Sequence, residues 1–198
     1  MDAAETKNAL KLLAARLETL SAVLDKAEEW AAEADVALDE LAAARLAGDM
    51  HPLAWQVAAT CTQPLQFVVW SRGADLPNEV QPVVDWAEAR AVLADTIALL
   101  ATEVAAVTPE AKRIVLERMG VYLELPAQRY LDDWILPNLY FHLTTAYAIL
   151  RMKGVPLGKA DFMRHIGGDI RPLAPSRRHD AGNDRRLPVR PHPLPRRG

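Results

Sequence analysis

In the run LPNLYFHLTTAYAILRMKGVPLGKADF, residues 136–162, three polar side chains are the residues best equipped for chemistry: Asn138, His142 and Thr145. Spaced by four and then three, they project from one side of a helix. An imidazole and an amide so placed are suited to share a ligand, a water or a metal. The bland alternative is a core or boundary histidine bonded to a neighbouring helix, the commoner fate of a single histidine on a largely apolar face. His51 begins another helical stretch, beside Pro52 and one turn before Trp55. It is placed either to approach His142 across a bundle or to face water in the first turn. A catalytic zinc site takes three protein ligands and an open position. With His165, His179 and His192 in or beside the C-terminal tail, only His51 and His142 remain, and neither H-x-x-x-H nor E-x-x-H occurs. Trp55, Trp86 and Trp134 are packing residues or the aromatic walls of a pocket. Cys61, among Ala58, Ala59 and Leu65, reads as a small buried hydrophobe rather than a nucleophile. The ligand-binding candidates are thus Asn138, His142, Thr145 and Trp55.

The elements that must position these residues are mostly helical. Leu10, Leu13, Leu17, Leu20, Leu24, Ala27 and Ala31 step by three and four, predicting a first helix over about 6–34. Residues 35–49 form a short helix or an ordered connection. Asp49 is the expected N-cap of a second long helix that tolerates Pro52 in its first turn, runs to Trp70, bends at Pro64 and turns Leu53, Val57, Cys61, Leu65 and Val68 inward. After a loop over 71–81, Trp86, Leu93, Ile97, Leu100 and Val104 predict a third. Between 112 and 125 the period falls to two and β-branched residues gather about Gly120, which predicts a β-hairpin. Residues 126–134 lead helically into the closing helix, where Pro137 and Asn138 suit a start or kink and Gly154 with Pro156 ends the run.

Composition narrows the class. The chain has 198 residues, 51% of them hydrophobic, which fits one soluble domain with a sizeable core. A single cysteine precludes an intrachain disulfide and a multi-cysteine zinc module, and suits a reducing cytoplasm. No signal-peptide pattern opens the sequence and no apolar run approaches a membrane span. Gly-rich phosphate loops and the G-x-S-x-G elbow are absent, which argues against nucleotide chemistry. Net charge is −3, unevenly distributed: residues 164–198 hold nine Arg against three Asp, together with six of the 14 prolines. That tail has almost no apolar periodicity and is expected to be disordered. Its charge suits polyanions, but composition favours an incidental extension, and nucleic-acid binding is not expected.

Two segments carry a family resemblance: ARLAGDMHPLAWQV, residues 44–57, and the 136–162 run. Over roughly residues 5–163 the chain resembles a bacterial family of domains of unknown function, the one numbered nineteen ninety-three, itself similar to the DinB/YfiT-like superfamily. The resemblance implies an all-α, DinB-like four-helix bundle, here with a small β-hairpin before the last helix. Together with the change in composition, it predicts a division into a bundle domain, 1–163, and a disordered Arg/Pro-rich tail, 164–198. Better-known members of that superfamily bind a metal through three histidines, two of them four residues apart on the last core helix. His142 falls on the later of these positions and Asn138 on the earlier, with His51 the candidate for a third ligand from the second helix. The implied cofactor is a divalent transition metal, although an amide is a poorer ligand for one than imidazole. Two functions follow. The first is a small-molecule-binding or interaction module, homodimeric, whose metal site is degenerate. The second is a metal-dependent enzyme of the DinB-like type, a thiol-dependent transferase or hydrolase using His142, Asn138 and His51.

Overall fold

The computed structural model describes residues 1–77, 79–171 and 173. Helix α1, Ala3–Ala34, starts on a capping box: the Asp2 carboxylate accepts from Glu5 N–H at 2.8 Å, and the Glu5 carboxylate accepts from Asp2 N–H at 2.8 Å. It ends at Asp35 in the left-handed region, φ 53°. Its leucine stripe is the buried one: Leu13, Leu17 and Leu20 have no exposed surface. Helix α2, Leu38–Ala43, is short. Helix α3, Leu53–Ser71, starts after Pro52 rather than on an Asp49 cap, and no side chain caps it. The Leu53 N–H is satisfied instead by the Ala44 carbonyl at 2.9 Å, and the Gln56 side chain folds back to the His51 carbonyl.

Helix α4, Trp86–Thr102, is capped by Asp85, whose carboxylate accepts from Glu88 N–H at 2.7 Å. Its expected apolar stripe is shorter than the sequence spacing suggests. Thr102 bonds back to Ala98 and Leu99 carbonyls, Glu103 turns extended, and Val104 lies past the helix end, 82% exposed. Leu65 of α3 is half-buried rather than fully inward. Arg90 ties α4 to α1, with Nη2 2.7 Å from Asp25 and Nε 3.2 Å from Glu28.

Strands β1, Ala111–Leu116, and β2, Val121–Pro126, form the expected antiparallel hairpin, pairing Ile114 with Leu123 and Val115 with Tyr122. Gly120, φ 64°, supplies the left-handed turn residue. Ile114 and Leu125 face the core, while Val115 and Tyr122 face outward. The closing helix then forms in three pieces: α5, Ala127–Arg129; a π-helical stretch, Tyr130–Ile135; and α6, Leu136–Met152. In the π-helical stretch the Leu136 N–H reaches back five residues to Leu131 O, just before Pro137, which has no N–H to give. Helix α7, Lys159–Phe162, is fastened to α1 by Lys26 and Asp161 at 2.6 Å.

The four long helices α1, α3, α4 and α6 pack on one another, with α3 against both α4 and α6. Their shared core includes Leu17, Leu53, Phe67, Leu93, Leu139 and Leu143. Met1–Gly168 is one compact unit. Residues 164–169, the first of the stretch expected to be disordered, form a 3-10 turn. The rest of that expectation falls almost wholly outside the described residues. Among the described residues no helix is long and apolar enough to cross a membrane.

Candidate functional site

The α3–α6 contact brings Gln56 opposite His142. His142 Nδ1 lies 2.9 Å from Gln56 Oε1, and Gln56 Nε2 donates to the His51 carbonyl at 3.1 Å. Because a carbonyl can only accept, the amide is oriented with its nitrogen toward His51 and its oxygen toward His142. Nδ1 therefore carries the imidazole proton, and Nε2 presents its lone pair. Burial, and after it the charge His51 can carry, pushes His142 down from 6.5 to about 4, so the ring is neutral at physiological pH.

Aromatic rings frame this imidazole. Trp55 meets His142 edge-on, with centroids 5.3 Å apart and planes at 76°, and Phe141 does so at 5.2 Å and 84°. His51 is exposed and stacks on Trp55 at 3.9 Å and 16°. The structure thus gathers His142, Trp55 and His51, with His142 bonded to a neighbouring helix.

Asn138 and Thr145 are turned to their own helix. Asn138 Nδ2 donates to Trp134 O at 2.7 Å, and Thr145 Oγ1 to Phe141 O at 2.7 Å. Such back-bonds satisfy a polar side chain without a ligand. Trp86 is a packing residue whose Nε1 donates to Glu28 at 2.7 Å. Cys61 is free and fully buried, and burial pushes its thiol up to about 12. Sequence reasoning missed Gln56 and Phe141. The available signal for Gln56 was its place one turn after Pro52, on a helix face between apolar residues.

These residues do not add up to a metal set. His142 offers one nitrogen, Asn138 offers only an amide oxygen, a poor ligand for a transition metal, and the His51 ring lies flat on Trp55. Gln56, the side chain facing His142 from α3, spends its oxygen on Nδ1. Among the described residues no group of three or more His, Cys, Asp or Glu lies close enough to hold a metal ion.

The chain is similar to the crystal structure of a DinB family member protein from Shewanella denitrificans, at TM-score 0.67 and 28% identity over 81% of this chain and 93% of that one. Its fold is therefore DinB-like. None of the curated proteins matches it. The family model described as "Domain of unknown function (DUF1993)" matches residues 7–163, a span that includes both Gln56 and His142, and the chain belongs to that family.

Proposed function

We propose that this protein is a small-molecule-binding helical bundle whose site is the neutral His142 imidazole, held by Gln56 and framed by Trp55 and Phe141. The observation that carries this reading is the 2.9 Å hydrogen bond between His142 Nδ1 and Gln56 Oε1. It fixes the tautomer, so that Nε2 faces a ligand as an acceptor beside two aromatic rings. A molecule with an O–H, N–H or S–H donor next to an apolar body has the complementary chemistry. The position four residues earlier is Asn138, whose amide nitrogen donates to its own backbone and whose oxygen is a poor transition-metal ligand, which makes the site a degenerate version of a metal centre.

One feature favours the metal-dependent alternative. An imidazole whose Nδ1–H is held by an acceptor while Nε2 stays free is also how metal-ligating histidines are oriented. The two readings separate on untagged protein with 15N-labelled histidine. Zinc and nickel are expected to leave the His142 Nε2 resonance in place, while a panel of small phenols, alcohols and thiols contains binders that shift it and lose affinity in His142→Phe. Stoichiometric metal uptake lost in His142→Ala overturns the proposal in favour of the enzyme reading.

A further inference from the structure

Trp134 lines a cleft to which none of His142, Gln56, Trp55 and Phe141 contributes. This cleft, of about 900 Å³, opens between β1, the π-helical stretch and the loop that follows α3. Its volume is within the range typical of small-molecule sites, about 300–1,000 Å³. Ile114, Leu116 and the Trp134 ring give it apolar walls. Two hydrogen-bond donors matter here, Tyr130 and Lys112, in a lining that also includes Arg113 and the carboxylates of Asp75, Glu79 and Glu117. Tyr130 is 1% exposed and lines the cleft, and its hydroxyl makes no hydrogen bond with any described residue. A buried phenol ordinarily finds a partner. Burial, and after it the Asp75 charge, pushes the Tyr130 ionisation up, so the group stays a protonated donor.

The second donor is the Lys112 ammonium. Its side chain is only 13% exposed, whereas that of its ion-pair partner Asp75 is 76% exposed. The pair is asymmetric: the Lys112 side chain is largely buried, whereas Asp75, which also lines the cleft, is largely exposed. Asp75 occupies the place that an incoming carboxylate would take.

We propose that this cleft binds a small aromatic or aliphatic carboxylate, its apolar body against Trp134 and Leu116 and its carboxylate between Lys112 Nζ and the Tyr130 hydroxyl, in exchange for Asp75. A carboxylate accepting from an ammonium and a phenol makes charge-assisted bonds in a partly desolvated site, where they are stronger than in water. The inference is independent of the His142 site, since it uses none of the residues that bind there.

Benzoate is the probe, with benzylamine and benzyl alcohol as cationic and neutral counterparts of the same shape, and binding is measured by calorimetry on the full chain. Benzoate is expected to bind saturably and the other two not. Lys112→Met keeps the aliphatic stem and is expected to weaken benzoate about tenfold, and Tyr130→Phe about threefold. Asp75→Asn, an exposed change with little risk to folding, is expected to tighten binding about threefold or more, because it removes the competing carboxylate. Preferential binding of benzylamine, weakened by Asp75→Asn, overturns the proposal and marks a cation site. Failure of benzoate to bind even Asp75→Asn also overturns it, as does equal affinity in wild type and a Lys112→Met protein with native circular dichroism.

Discussion

His142 combines a neutral ring, a fixed tautomer and an Nε2 that bonds to none of the described residues, and each has a measurable consequence. An unfolded imidazole takes its proton near pH 6.5, whereas the folded one resists until about pH 4. The unfolded chain therefore binds more protons between those values. The stability this residue contributes is fully present above pH 6.5 and is lost as pH falls toward 4. For a ring that is only partly buried, a discounted figure is about 1–2 kcal/mol. Urea unfolding of wild type from pH 6.5 to 4 should show that loss, and His142→Gln should remove it. The converse experiment changes the partner. Gln56→Glu places a carboxylate beside Nδ1–H and is expected to raise the His142 pKa from about 4 toward or above 6.5. Titration of the histidine 15N resonances reads this directly, and a pKa left near 4 would contradict the hydrogen-bond geometry.

At the scale of elements, the end of α6 is where backbone conformation matters most. Gly154 adopts φ 101°, which L side chains rarely adopt, while a Cβ there would meet the Trp30 ring of α1 at an ordinary 3.4 Å. Gly154→Ala should therefore cost about 1–2 kcal/mol through backbone strain rather than a clash. Leu139→Ala removes a fully buried side chain between helices and should cost about 2–5 kcal/mol. Both are read from urea midpoints at constant m-value. These elements differed in how plainly the sequence announced them. The hairpin was legible because its period of two and β-branched residues sit against helical neighbours, with Gly120 at the turn. The end of α4 was not, since Val104 continues the apolar spacing and what breaks the helix is an extended Glu103. The π-helical stretch was invisible for a similar reason: α and π turns draw on the same helix-forming residues, and Pro137 was the single hint. As for the site, His142 stood out as a polar residue on an apolar face. Its partner Gln56 did not, because glutamine is usually a surface residue and the pairing spans 86 positions of sequence.

For the whole molecule, Met1–Gly168 is a compact unit containing all of the hydrophobic core found among the described residues. Removing residues 169–198 should leave the thermal midpoint within about 2 °C, and a drop of ten degrees in differential scanning calorimetry would show that the bundle depends on them. The same core supplies a means of watching the bundle open. Cys61 has no exposed surface at the α3 face toward Thr96 of α4, and its thiol is held far above neutral pH. With no other cysteine in the chain, a thiol-specific chromophore added to native protein can react only during excursions that part those two helices. The chain thus carries an intrinsic clock for its own opening, and a ligand that slows that clock has bound the closed form whether or not it has any other visible effect.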